Sequence, residues 1–384
     1  MRDASVLSMR DGLPKKIVKK PALSIITPVF KRIPLVLETM RSVQQQTWED
    51  FECIVVDDGS SEEEFEQLCS GFEADERFKF HRRTGERKGA TVCRNEAVAM
   101  ARGEFMIFLD SDDLLLPHCL SERVARLRAD ERLDFIVTQT GVFTQAEQPH
   151  AEHYWSSLQH ANDLDGFLLN QGWITSSTTF RSRFVRNIPF NETALCWGDY
   201  EFHLRVLLAN PRYRKFPDSE PDWLYRAEPN RVSLVEITGV KAAQKTSDIL
   251  RMLIDLEALI SPEDWPRYEG AFLGHYLARL MDFALRQRDR RALDRMIAQL
   301  DASRCRDLLP RRKLQVLRAL APVPVTARWQ ILSRTRRSLL RYLGISDFGR
   351  QSPPIPGRFV NSRYLDLIPR TDSLGWTIDE GQTA

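Results

Sequence analysis

The chain has 384 residues, 42% of them hydrophobic and 28% charged, with a net charge of +2. This is globular composition for two or three domains, or one large domain with an appendage; it excludes a disordered chain, a collagen-like repeat and a disulfide-dense mini-domain, and the charge is too small to argue for a nucleic-acid partner. No run of about 18 apolar residues suggests a transmembrane helix, and the opening MRDASVLSMRDGLPKKIVKK lacks the apolar stretch of a secretory signal, so a cytoplasmic protein is expected.

Residues 1–21 are polar and basic, punctuated by Pro14 and Pro21, and read as a flexible arm. The run Leu23 to Thr27 is apolar and β-branched and ends at Pro28, as a buried strand does where it opens into a loop. A helix is predicted over Pro34 to Gln46, a second buried strand over Phe51 to Val56, a helix from Ser61 to about Phe72 and a weaker strand at Phe78 to Phe80. A helix from about Thr91 to Ala101 then leads into the most apolar strand, Phe105 to Leu109. This alternation predicts a parallel sheet with helices on both faces. Further on, strands are expected at Phe135 to Thr138 and Ile174 to Phe180, and a helix at about Tyr200 to Ala209 before Asn210-Pro211. From about Val240 the pattern is helical, with stripes Ile249 to Ile260 and Phe272 to Phe283, and from Ser346 it is Pro-rich and irregular. The six cysteines, Cys53, Cys69, Cys93, Cys119, Cys196 and Cys305, have no regular spacing and read as reduced, mostly buried thiols.

Two acidic clusters directly follow the two most buried strands: Asp57-Asp58 and Asp110-Ser111-Asp112-Asp113. In open α/β sheets ligands bind beyond the carboxyl ends of the strands, where both clusters fall. Asp110 and Asp112, two residues apart, suit a hard divalent cation such as Mg²⁺ or Mn²⁺, which takes oxygen ligands and neutralises a diphosphate. The structural alternative is that Asp112 or Asp113 caps a helix starting near Pro117, and that Asp58 forms an Asx-turn before Gly59.

The stretches LSIITPVFKR, SVQQQTWEDFECIVVDDGSS and GATVCRNEAVAMARGEFMIFLDSDDLLLP, in that order and spacing, resemble the family 2 glycosyltransferases of GT-A fold, strongly from Leu23 to about Pro117 and loosely to about Ser233. The resemblance implies a GT-A-like, Rossmann-type sheet over 22–240; the helical pattern beyond it reads as a subdomain over 241–345 and the Pro-rich end as an irregular tail over 346–384. It implies that Pro28 and Phe30 pack on the nucleobase, that Asp58, with Asp57 beside it, holds the base, that Arg94 approaches the donor's phosphates or sugar, and that Asp110 and Asp112 hold the metal. The segment Trp197 to Arg205 looks like the family's acceptor-side motif, with Gly198-Asp199 in place of the usual Glu-Asp pair; Asp199 then is the general base, also suited to capping the helix, and Glu201 is its competitor. His203 on that helix reads as packing rather than chemistry. In Leu224 to Ser233 a Glu228 stands where the family commonly has histidine, which leaves a third metal ligand open.

Residues 301–350 carry twelve arginines or lysines against three aspartates, interleaved with Trp329, Leu332, Leu339, Leu340 and Leu343. That pattern suits a basic amphipathic helix on an anionic membrane face, or a solvated face of the helical subdomain. The expected activity is inverting transfer of a sugar from a nucleotide diphosphate sugar, UDP-linked by preference, to a saccharide or lipid-linked hydroxyl in surface polysaccharide or glycolipid synthesis. The protein is expected in the cytoplasm or on the inner membrane face. The rivals are a sugar-phosphate nucleotidyltransferase, disfavoured because Thr27 to Arg32 contains no glycine for a phosphate loop, and a catalytically silent binding protein of the same fold.

Overall fold

The computed structural model describes residues 20–143, 155, 158–159, 163–168, 172–194, 197–226, 239–287, 289–309 and 311–320. The expected arm, the tail and the arginine-rich stretch from 321 therefore lie outside the described residues, except Lys20 and Pro21 of the arm.

Strand and helix alternate through β1 (Leu23–Val29), α1 (Ile33–Gln44), β2 (Phe51–Asp57), α2 (Glu62–Ser70), β3 (Phe78–Arg82), α3 (Ala90–Met100) and β4 (Phe105–Phe108). Then come β5 (Leu114–Leu115), α4 (Cys119–Ala129), β6 (Phe135–Val137), β7 (Thr140–Phe143), α5 (Asp163–Leu168), β8 (Thr178–Arg181), α6 (Ser182–Val185), α7 (Gly198–Leu208), β9 (Tyr213–Lys215) and β10 (Trp223–Arg226). Helices α8 (Gly239–Glu257), α9 (Trp265–Arg286), α10 (Arg290–Gln299) and α11 (Arg311–Leu320) complete the described chain. Among the described residues no helix is long and apolar enough to cross a membrane.

The large sheet runs β3-β2-β1-β4-β8-β6-β9. Its first four strands are parallel, and β8 lies antiparallel between β4 and β6. Every residue of β1, β2 and β4 is buried, as expected of strands covered on both faces. Alternate side chains feed two cores. Ile25, Val55 and Ile107 pack with Val36, Met40 and Leu120 on one face. Ile26, Ile54 and Phe108 pack on the other with Phe202, and that cluster continues through Leu253, Phe272 and Tyr276 to Leu317, so α7 to α11 share one apolar core with the sheet. Buried Glu257 ties the helices together, accepting hydrogen bonds from Tyr276 Oη (2.8 Å), Ser303 Oγ (3.1 Å) and Arg304 N (2.5 Å).

A second, three-stranded sheet, β5-β10-β7, sits beyond the carboxyl end of β4. It is held to the rest by a fully buried ion pair, Arg123 of α4 to Asp222 (2.7 Å), with Thr138 Oγ1 also donating to Asp222. Helix α1 begins one residue ahead of Pro34, because Arg32 takes a left-handed conformation (φ 58°) as its N-cap. The expected strand from Ile174 begins only at Thr178, since residues 175–177 form a 3₁₀ turn closed by Ser177 N donating to Ile174 O.

Candidate active site

The register of β1 with β2 pairs Val29 with Asp57, and that of β1 with β4 pairs Ile26 with Phe108, so both acidic clusters emerge at one edge. Phe30 leaves β1 there with 54% of its surface exposed, whereas Pro28 is buried within the strand. The Asx-turn belongs to Asp57 rather than Asp58: its carboxylate, 1% exposed, accepts from Gly59 N, Ser60 N and Ser60 Oγ. With both oxygens committed inside the turn, Asp57 shapes the strand exit and positions its neighbour. Asp58 accepts from Arg83 Nη1 (2.5 Å) and from Gly89 N (2.7 Å), the N-cap of α3. Gly89 has φ 129°, a conformation that side chains disfavour. Burial works against the Arg83 charge, but its hydrogen bonds to the Glu96 and Asp58 carboxylates hold its pKa above the ordinary arginine value. Nearby, burial and then Asp58 push the Cys93 thiol up to about 12, so it is inert at neutral pH.

The second cluster forms a strap between the two sheets. Asp110, one third exposed, accepts from Arg94 Nη2 (2.5 Å), whose guanidinium lies over the Phe190 ring. Asp112 accepts from Arg32 Nη1 (3.1 Å). Neither Asp112 nor Asp113 caps α4, which starts at Cys119 with His118 as N-cap; instead Asp113, fully buried, accepts from Arg226 N (3.1 Å). The pair Asp110 and Asp112 is an all-oxygen, anionic donor set of the kind that Mg²⁺ or Mn²⁺ takes together with substrate phosphates. Among the described residues no group of three His, Cys, Asp or Glu is assembled, so a metal there would complete its shell from substrate and water, and Glu228 lies outside the described residues.

Helix α7 brings Asp199 to the same edge, its first turn lying against that of α3. Its N-cap is Trp197, left-handed at φ 59°, so Asp199 sits in the first turn and is not the cap. Asp199 is exposed. A Cβ on Gly198 would come within 2.5 Å of Thr91 Cγ2, because the α7 and α3 N-termini touch there. Thr91 stands one turn before Arg94, and thus before the contact with Asp110. Glu201 is not available as a base, because it is buried and gives both oxygens to Arg205 (2.6 and 2.8 Å). His203 is packing, as expected: its ring stacks on Phe167, Nδ1–H donates to Asp199 O (2.8 Å), and burial lowers its pKa to about 4.

Sequence reasoning missed Arg32, Glu38, Arg83 and Arg226, which hold these carboxylates or their loop. Only the Glu201–Arg205 pair had a local signal, its four-residue helical spacing.

The sheet order, the carboxylates at its carboxyl edge and the helical continuation are those of a GT-A glycosyltransferase fold. Residues 24–188 match the sequence model of Glycosyl transferase family 2. An uncharacterized glycosyltransferase of Rickettsia bellii is 32% identical over 133 residues, 35% of this chain and 18% of that protein. The GalNAc(5)-diNAcBac-PP-undecaprenol beta-1,3-glucosyltransferase of Campylobacter jejuni is 37% identical over 101 residues, 26% of this chain and 33% of that protein. The chain thus spans a third or less of these relatives' length. The crystal structure of S. aureus TarS 1-349 in complex with UDP-GlcNAc superimposes with a TM-score of 0.60 over 82% of this chain and 91% of that one at 17% identity, a likeness of fold.

Proposed function

We propose that the protein is an inverting, metal-assisted glycosyltransferase that moves a sugar from a nucleotide diphosphate sugar, UDP-linked by preference, to a hydroxyl of a saccharide or lipid-linked acceptor. The observation that carries this reading is the meeting, at one sheet edge, of Asp58, the Asp110–Asp112 strap and the first turn of α7 with Asp199. Exposed Phe30 offers a ring for the base, and Asp58, held by Arg83 and Gly89, presents its carboxylate to the base. Asp110 and Asp112 would hold the divalent cation, whose chemistry is neutralising the departing diphosphate. Arg94 and Arg32, already on these carboxylates, lie within reach of the same phosphates. Asp199 removes the acceptor proton, and attack opposite the leaving diphosphate inverts the anomeric centre.

The UDP and UDP-GlcNAc bound by the similar S. aureus fold, and the polyprenol-linked acceptor in the Campylobacter jejuni relative's name, support a UDP donor and a surface-glycan or glycolipid acceptor. A cytoplasmic place on the inner membrane face fits that acceptor.

Thermal-shift titration with nucleotide diphosphate sugars, with and without Mn²⁺, tests the reading, since a ligand that binds only the folded state raises its melting temperature. At least one UDP-sugar should stabilise the protein, more with Mn²⁺ than with chelator, and Asp112→Asn should abolish the Mn²⁺ increment. No stabilisation by any nucleotide sugar would favour the silent binding protein.

A further inference from the structure

Arg226 is the last residue of β10 and only 2% exposed, yet the catalytic scheme gives it no task. Its guanidinium makes three kinds of contact at once. Nε donates to the main-chain oxygen of Asp112 (2.8 Å), Nη2 donates to Glu38 Oε2 on α1 (2.6 Å), and the plane lies 4.5 Å from the centre of the Phe143 ring, its partner in the β10–β7 ladder. Its own backbone N donates to the Asp113 carboxylate (3.1 Å). One residue therefore holds the strap at two points, its guanidinium on the Asp112 carbonyl and its backbone N–H on the Asp113 carboxylate, and anchors it to α1 and to the small sheet.

We propose that Arg226 is a positioning residue: by fixing the Asp112 carbonyl it sets the spacing between the Asp110 and Asp112 carboxylates, and so the affinity of the site for metal-bound diphosphate. The inference rests on the metal-assisted reading above. Groups one bond removed from metal ligands commonly tune metal affinity by orienting those ligands. The planar fork is required, because a lysine could keep the charge near Glu38 but could not also hold the Asp112 carbonyl in the same geometry.

The test is UDP binding by calorimetry over a range of Mn²⁺ concentrations, with a thermal melt of each protein. Arg226→Met and Arg226→Lys are compared with wild type. Folded Arg226→Met should need about tenfold or more Mn²⁺ for half-maximal UDP affinity, while UDP affinity in chelator stays within error of wild type. Arg226→Lys should recover melting temperature more than it recovers the Mn²⁺ requirement. If Arg226→Met does not fold, Glu38→Gln carries the test, with a smaller rise in required Mn²⁺, on the order of threefold. A wild-type protein that needs Mn²⁺, with a folded Arg226→Met that needs no more, or with an unchanged Glu38→Gln where Arg226→Met is unfolded, overturns the inference alone. A wild-type protein whose UDP affinity ignores Mn²⁺ overturns the metal-assisted reading and this inference with it.

Discussion

At the scale of single residues, the proposed acceptor side turns on two neighbours, Gly198 and Asp199. Asp199→Asn keeps size and polarity but removes the basic oxygen; since the side chain is not the helix cap, α7 should be unaffected. If Asp199 is the base, turnover should fall by roughly 10²–10⁴-fold, with UDP affinity unchanged, since the proposed donor site of Asp58 and the strap is left intact. Near-normal turnover in that variant would move the base elsewhere, and Glu201, locked by Arg205, is not where it would go. Gly198→Ala sets two effects against each other. Alanine favours a helix over glycine by about 1 kcal/mol, but the new methyl would meet Thr91 Cγ2 at 2.5 Å, and Thr91 is buried and branched at Cβ. Overpacking of that kind costs about 1–3 kcal/mol, so Gly198→Ala should be destabilised in urea unfolding. Thr91→Ser, which removes the offending methyl, should restore much of the loss when combined with it.

At the scale of elements, α7 is held by an aromatic cluster that includes His203, buried with its pKa lowered to about 4 from an ordinary 6.5. The unfolded chain takes up this proton near pH 6.5 and the folded one only near 4. The stability contributed by the neutral ring is therefore fully present above about pH 6.5 and is lost progressively as pH falls through about 4. Over that window wild type should lose on the order of 1 kcal/mol more per pH unit than His203→Asn, whose amide can still reach the Asp199 carbonyl without titrating. Parallel slopes in urea unfolding at pH 7 and pH 5 would show that His203 is not the group involved. The strands β1, β2 and β4 could be read from the chain because burial on both faces demands a largely apolar run, and the exits of β2 and β4 are marked by aspartates. The short strands β5, β7, β9 and β10 could not: two to four residues carry no periodicity, and their pairing depends on partners far away in the chain. For the same reason Asp58 and the D-S-D-D strap were visible as candidates, while Arg83, Arg32 and Arg226, which grip them, were not. The contact from Arg226 to Asp112 spans 114 positions, and no local pattern encodes it. Burial also reassigned roles between neighbours, giving the turn to Asp57 and the cap of α7 to Trp197.

At the scale of the whole molecule, a net charge of +2 hides an uneven distribution, with the stretch 301–350 strongly basic. Within its described part, Arg304 lies over Trp265 and Arg318 pairs with Asp294, while Arg311 and Arg312 are exposed on α11. If the stretch rests on anionic lipid, each basic group near the surface adds ~1 kcal/mol. Co-sedimentation with phosphatidylserine vesicles should then occur at low salt and fade as salt shortens the Debye length; full recovery in the supernatant at low salt would refute it. The strap bearing Asp110 to Asp113 is stapled at both ends. Leu109 N donates to Ile26 O in the large sheet, while Leu115 N and Leu116 N donate to Ser42 Oγ and Asp222 O on the other side. The amides of Leu109, Leu115 and Leu116, which flank it, are locked by these contacts, so isotope exchange at those three reports a sub-global opening of the molecule rather than local fraying. These flanking amides should exchange among the slowest in the protein. If the strap holds the donor as proposed, its carboxylates meet the ligand already ordered, and the entropy of arranging them is settled when the chain folds rather than on binding.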